Sequence, residues 1–477
     1  MMNLGPLTID LILCGLTFGV LSVDLALPHG KKRALGHLTA AVLAGLFVVT
    51  FFINVNGSAL SGAYQGDAWV LFFKRVALVA GVFVSLGAVD YVDRHFPTRQ
   101  GEFWVLLLFT LLGMTLLPGA RDLLLLIVCF ELMGLPLVVL ASYAKAEDKT
   151  GPGQFGPEAG LKLYLVSAVS TAITLYGLSI VYGLSGTTKL AALGNVGASP
   201  LLFVGLAFAL AGMSFKIGAV PFHMWVPDTY QGASTPFVSF LSVAPKATGF
   251  AALAAVLILG FGHQKPSWGP LVLFLLVTSI LIGNLLALAQ KDLKRLLAYS
   301  GIAQVGYMMI GLLTADAYGM GMLLFYVAGY LVTNMGAFLV LHAVAPHRST
   351  ITLDDVRGLS KRSPRLALAL LLFLLSLAGI PFVVGFWAKL YVFMAAYRAG
   401  YTWLILYGAL MAIVALFYYL QIARAAYMDE PTDNEPIVVD RSLDAVVMAC
   451  VALVVAMGLY PSPFLERAMA AARALFG

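Results

Sequence analysis

Charge is what this chain most conspicuously lacks. Only 11% of its 477 residues are Asp, Glu, Lys or Arg, against roughly 25% in a soluble globular chain. With 61% hydrophobic residues and a mean hydropathy of +0.93, the composition is that of a polytopic membrane protein. Cysteine is scarce as well. Cys14, Cys129 and Cys450 lie singly inside apolar runs, and no CxxC or Cys/His spacing offers a seat for zinc, haem or an iron–sulfur cluster. Packing is their reading. There is no GxGxxG after a strand, no P-loop, no HExxH and no pair of axial histidines, so the chain itself is read as doing neither redox nor hydrolytic chemistry. Driving energy must come from a partner or an ion gradient. A net charge of +6 without a basic patch interleaved with aromatics argues against nucleic acid. The first residues, MMNLGPLTID, carry no basic segment of the kind that opens a cleaved signal peptide, so the N-terminus reads as an uncleaved first helix.

What is present is apolar runs. They fall near 7–27, 35–55, 70–90, 103–118, 121–143, 158–184, 201–217, 235–260, 268–290, 296–314, 319–345, 366–396, 403–427 and 440–460. About twenty helical residues cross a bilayer core, so these predict 14 transmembrane helices in an all-α fold. The run at 201–217 continues as a second half near 221–232, and 366–396 is too long for one straight helix and is interrupted by Gly379-Ile380-Pro381. Helices 7 and 12 are therefore expected to be discontinuous. Loops on one side of the alternation carry most of the basic residues, among them Lys31, Lys32, Arg33, Lys291, Arg295, Lys361 and Arg362. The positive-inside rule then puts both termini outside, on the periplasmic side of a bacterial inner membrane. The longest loops, 145–157 and 343–365, are too short to hide a soluble domain.

Residues 218–225, GAVPFHMW, echo residues 379–387, GIPFVVGFW. Interrupted spans five apart are a mark of inverted repeats in membrane transporters. The chain divides accordingly into an N-terminal three-helix segment (1–100), a first repeat (101–260, spans 4–8), a second repeat (261–430, spans 9–13) and a C-terminal helix and tail (431–477).

Five ionisable residues stand inside these runs: Glu131, Lys162, Lys216, Lys246 and Lys389. Each would cost about 2.5–3.5 kcal/mol at mid-membrane if unpaired. Pro136, Pro221, Pro245 and the break at 379–381 lie near them, and interrupted helices expose carbonyls that coordinate an ammonium. Burial favours the neutral amine, a neighbouring carboxylate the charged one. Glu131 and Lys216 about 7 Å apart would attract by roughly 2.4 kcal/mol at an effective dielectric near 20, enough to switch proton release from Lys216 toward Lys246. Lys162, a turn inside its span, either joins this line or snorkels; His223 is either a relay or a structural hydrogen bonder. Lys74 and Arg75 are expected to snorkel, and Asp24 and His342 to be interfacial.

FELMGLPLVVLASY (130–143), EAGLKLYL (158–165), FKIGAVPFHMWVPDTYQGASTPFVSFLSVAPKATGF (215–250), KDLKRLLAYSGIAQVGYM (291–308) and LAGIPFVVGFWAKLYVF (377–393) resemble the antiporter-like membrane subunits of respiratory complex I, the NADH–quinone oxidoreductase of electron-transport chains. LDDVRGLSKRSP (353–364) and Lys389 point to one branch of that family. The resemblance implies proton translocation through two half-channels, with Glu131 and Lys216 as the switch, Lys246 as the central relay and Lys389 on the exit side. Lys162 and His223 become supporting members. It further implies partner membrane subunits, no cofactor in this chain, FMN and iron–sulfur clusters on partner subunits, and quinone bound elsewhere. The eleventh span lacks a mid-helix ionisable residue, so the link from Lys246 to Lys389 falls to water, Tyr330 or Asn334. Two rivals share the sequence pattern: a cation/proton antiporter subunit of a multisubunit exchanger, and a non-pumping scaffold.

Overall fold

The computed structural model describes residues 4–28, 32–145, 155–346, 348–432 and 435–476; Lys31 and most of the loop 145–157 lie outside them. Helices α1 (Thr8–Ala26) and α2 (Arg33–Val49) lead to a two-stranded hairpin, β1 (Gly57–Ala59) and β2 (Tyr64–Gly66), paired antiparallel. There follow α3 (Ala68–His95), α4 (Gln100–Leu116), α5 (Leu123–Ala141), α6 (Gly156–Ser185), the single turn α7 (Leu190–Leu193), α8 (Pro200–Ile217), α9 (Trp225–Gly232), α10 (Thr235–Leu241) and α11 (Ala244–Ala254). The remainder comprises α12 (Lys265–Leu288), α13 (Leu293–Thr314), α14 (Ala317–Val344), the short α15 (Leu353–Val356) and α16 (Leu359–Arg362), α17 (Pro364–Ala378), α18 (Val384–Arg398), α19 (Thr402–Tyr427), α20 (Arg441–Leu459) and α21 (Ser462–Phe476). Among the described residues, 12 helical stretches are long and apolar enough to cross a membrane, with two shorter apolar helices at Arg33–Val49 and Pro364–Ala378.

Local chemistry fixes the helix ends. Asp67, Asp122, Ser199, Asp292, Asp316 and Asp440 each cap a helix by accepting a backbone N–H of the first turn, satisfying a donor that has no partner within the helix. Gly218 and Gly379 end α8 and α17 in the left-handed conformation, φ +73° and +89°, which glycine adopts without a Cβ clash. The expected span 235–260 is not one helix. It is broken at Val243 between α10 and α11 and finishes in a π-helical turn, Ala255–Gly260. Pro245 explains the break, because it offers no N–H and its ring collides with the preceding turn.

Helices α13 and α14 run through the middle of the molecule, buried almost all round. Close backbone contact substitutes for the hydrophobic drive that lipid removes. A Cβ on Gly177 of α6 would fall 2.4 Å from the Ala209 nitrogen of α8, and one on Gly283 of α12 would fall 2.6 Å from the Ala303 nitrogen of α13. The amphipathic α21, which the sequence reading treats as tail, packs on α14 and α3.

One expectation about charge is corrected. Lys74 does not snorkel: it is fully buried and ion-paired to Asp10 across α1 and α3. Arg75 donates to the Oγ1 and carbonyl of Thr50 at 3.0 and 2.9 Å, capping the end of α2. Asp24 and His342, near the ends of α1 and α14, are both buried within the protein, Asp24 pairing with Lys32 at 2.8 Å and His342 packing edge-on to Tyr91. An ion removed from water needs a partner, and in these places the chain supplies one.

Candidate functional site

The break after α8 positions the first amine. Lys216 is in the last turn, and the Trp225 indole N–H of α9 donates to the Phe215 carbonyl at 3.0 Å, tying the two half-helices together. The Lys216 Nζ lies over the rings of Phe130 and Phe215 and donates to Ser167 Oγ at 3.3 Å. Gly134 leaves room for it, since a Cβ there would stand 3.0 Å from the nitrogen. Glu131 and Lys216 make no direct ion pair. The Glu131 Oε1 accepts instead from Thr171 Oγ1 at 2.8 Å. The reason lies on α6, where Ser167 and Thr171 stand four residues apart on one face and serve the amine and the carboxylate separately. Both ionic groups nevertheless line one cavity with Phe130, Thr171, Thr174 and Gly212. That serine–threonine spacing is a sequence signal that a search for charges alone passes over.

A second cavity runs from Lys216 past Ser167, Trp225 and Leu241 to Pro245, the neighbour of the next amine. Lys246 occupies the first turn of α11, is 1% exposed, and its Nζ has no hydrogen-bond partner within the protein. The Tyr230 ring lies 5.6 Å away. A Cβ built on Gly301 of α13 would fall 3.1 Å from the Lys246 Nζ and 2.7 Å from the Tyr330 hydroxyl, so the amine and the phenol flank the same gap. The Tyr330 and Tyr230 hydroxyls and the Asn334 Oδ1 are likewise buried without a protein partner. Such orphaned groups are uncommon, and several together define a polar interior that only water or protons can serve.

The third amine depends on the second broken helix. With Gly379 turning the chain, the Leu377 and Ala378 carbonyls at the end of α17 are left to accept Lys389 Nζ, at 2.8 and 2.9 Å. Lys389 is 5% exposed, and the Tyr307 ring lies 5.1 Å from its nitrogen. Between Lys246 and Lys389 lies a cavity lined by Gln304, Tyr326, Tyr330, Thr333, Ser376 and Leu377. Tyr330 lines this cavity and also flanks the gap beside Lys246. Asn334 is engaged with Ser242 Oγ at 2.8 Å and does not line this cavity. Gln304, one amide in the apolar stretch GIAQVGYMMI, was the readable signal that the sequence analysis missed.

The two supporting residues stand apart from this line. Lys162 is half-exposed and paired at 2.8 Å with both Glu158 and Asp228; Asp228 in turn pairs with Arg295 of α13 at 2.5 Å. His223 is half-buried in the break between α8 and α9, its Nδ1 unpartnered and its ring 6.5 Å from that of Tyr299. Among the described residues no group of three His, Cys, Asp or Glu side chains converges to hold a metal ion.

Helices broken beside buried amines, with small cavities near them, mark a polytopic membrane protein that keeps ionisable groups in its interior. Residues 120–415 match the family model described as NADH:quinone oxidoreductase/Mrp antiporter, transmembrane. The chain is 38% identical to NADH-quinone oxidoreductase subunit N of Moorella thermoacetica, over 100% of both chains. It resembles a chain of respiratory complex I from Thermus thermophilus with a TM-score of 0.83 at 33% identity, over 96% of this chain and 99% of that one. A chain of the Mrp complex from Dietzia matches in fold alone, with a TM-score of 0.82 at 21% identity over 99% and 96% of the two chains. The chain belongs to the NADH:quinone oxidoreductase/Mrp antiporter membrane family, in the group of subunit N.

Proposed function

We propose that this chain is a proton-translocating membrane-arm subunit of a bacterial NADH:quinone oxidoreductase, embedded by 14 crossings in the cell membrane with both termini outside. The two shorter apolar helices, α2 and α17 with its continuation α18, supply the crossings beyond the 12 longer ones. The breaks after α8 and α17 make helices 7 and 12 the paired discontinuous members of two inverted repeats. The division at residues 101–260, 261–430 and 431–477 follows from that pairing, with residues 1–100 preceding it.

In this reading the energy of quinone reduction is released in partner subunits that carry FMN and iron–sulfur clusters, and this chain contributes only the route for protons. Glu131 and Lys216 act as the switch: the carboxylate stabilises the ammonium across their shared cavity, and a change in their separation alters how readily the amine lets its proton go. Lys246 accepts that proton and passes it along the Tyr330 side of the interior, and Lys389 delivers it to the exit half-channel. Lysine suits each position because its amine can lose a proton where arginine cannot. Lys162 and His223 support the line from its edges, Lys162 through its ion network and His223 from the helix break.

One observation carries the reading. Lys246 is an amine sealed inside the protein with no hydrogen bond from it, an arrangement that packing alone would not retain. The test is Lys246→Ala and Lys246→Arg in the assembled complex, with NADH oxidation and vesicle acidification recorded together. Both variants are expected to lose proton translocation at normal assembly. Unchanged pumping in Lys246→Ala would sink the proposal in favour of a scaffold.

A further inference from the structure

Leu377 O, the carbonyl that receives Lys389, receives a second donor. Gln304 Nε2 of α13 donates to it at 3.0 Å, so amide and ammonium share one acceptor. The orientation of the amide is settled by its surroundings. A carbonyl can only accept, which places the NH2 group toward Leu377, and the opposite end, Oε1, accepts from the Tyr326 hydroxyl of α14. Gln304 is 3% exposed. On its other side it lines the cavity that reaches Tyr330, and through Tyr330 the gap beside Lys246.

We propose that Gln304 is a positioning residue that sets how tightly Lys389 is held. This inference rests on the proton path proposed above. A carbonyl shared between two donors binds each less strongly than it would bind one, so the amide loosens the grip of Leu377 O on the ammonium. The proton leaves one ammonium, crosses the cavity by way of hydroxyl groups that both donate and accept, and is taken up by the other lysine, whose amine must be the free base to receive it. Gln304 also fixes the Tyr326 hydroxyl at the edge of that crossing.

The experiment uses the intact complex in native membranes. Gln304→Met keeps the length and volume of the side chain but makes neither hydrogen bond. Gln304→His offers a donor and an acceptor on one ring. Proton translocation and NADH oxidation are measured for both, with Lys389→Ala prepared in parallel. The expected result is a fall in translocation of about fivefold in Gln304→Met, the effect of one charge-assisted hydrogen bond rebalanced, and substantial recovery in Gln304→His. A Gln304→Met complex that pumps at the parental rate, while Lys389→Ala does not, overturns the role of Gln304 and leaves the path standing. Parental pumping in Lys389→Ala overturns the path itself. If Gln304→Met fails to assemble, Gln304→His decides: pumping no better than Lys389→Ala in an assembled Gln304→His complex counts against the proposal.

Discussion

Gly301 shows how much of this site depends on a single missing methyl group. Lys246 Nζ and the Tyr330 hydroxyl converge on the space its Cβ would fill, and both distances are too short for a carbon to sit there undisturbed. Gly301→Ala should therefore push the Tyr330 hydroxyl aside and shift the amine by a few tenths of an ångström, without introducing any charge or polar group. Misplacing a reacting group by about 1 Å can slow a reaction by on the order of 10²-fold, whereas overpacking of this size costs about 1–3 kcal/mol of stability. We expect proton translocation to fall at least tenfold with the complex still assembled, as checked by vesicle acidification alongside a thermal melt; wild-type pumping would show that the gap has no role. The residue also marks where sequence reading stops. Lysines at 216, 246 and 389 announce themselves because a charge in an apolar run is expensive. A glycine that makes room for one of them looks like any other among 47. Ser167, Thr171 and Gln304 lie between these extremes, since polar but uncharged side chains are common enough in membrane helices to pass unremarked.

At the scale of elements, the sequence pattern located both helix breaks, at Gly218 and at Gly379, because glycine and proline punctuate a helix for steric reasons visible in any chain. It did not find the third break at Val243, where the proline pattern was present but no excess length called for an interruption. Nor did it find the hairpin 57–66, whose Tyr64 bridges to Ala120 in the turn before α5. The same blindness to tertiary partners put Lys74 at a lipid interface. Its ion pair with Asp10 instead fastens α1 to α3, and removing one member of a buried pair costs about 3–5 kcal/mol. Lys74→Met should lower the melting temperature strongly, and Asp10→Asn combined with it should recover a large part of the loss; additive losses in the double variant would show that the pair is not a unit. Asp67, which caps α3 and meets Arg121 at 3.0 Å, provides a pH test at the outer edge of the same element. Burial raises its carboxyl above the ordinary aspartate value despite Arg121. The folded chain thus holds this proton more tightly than the unfolded one. Its stabilising contribution is complete below about pH 4 and is lost as pH climbs through the raised folded value. Asp67→Asn, still a competent cap, should gain stability relative to the parent as melts are taken from pH 4 to pH 7. A constant difference across that range would contradict the sign.

Across the whole molecule, α13 is the member that meets every part of the second half of the line. Arg295 at its start pairs with Asp228, Gly301 faces Lys246, Gln304 meets the acceptor of Lys389, and Tyr307 lies against Lys389 itself. Because these contacts occur in order along one buried helix, the proposed path treats the two amines as successive stations on one route rather than ends of two independent routes. That distinction is measurable. For stations in series, losing the second adds little once the first is gone, so the free-energy penalties of Lys246→Met and Lys389→Met should be strongly non-additive. The double variant should then pump about as poorly as the worse single one. For parallel routes each substitution would remove its own share, and the double variant would lose the sum of the two. Measuring the two single variants and the double variant in one membrane preparation, with NADH oxidation as the internal standard, separates these outcomes. Independent losses would mean that the cavity between Tyr330 and Leu377 does not connect the two lysines, however closely its walls approach both.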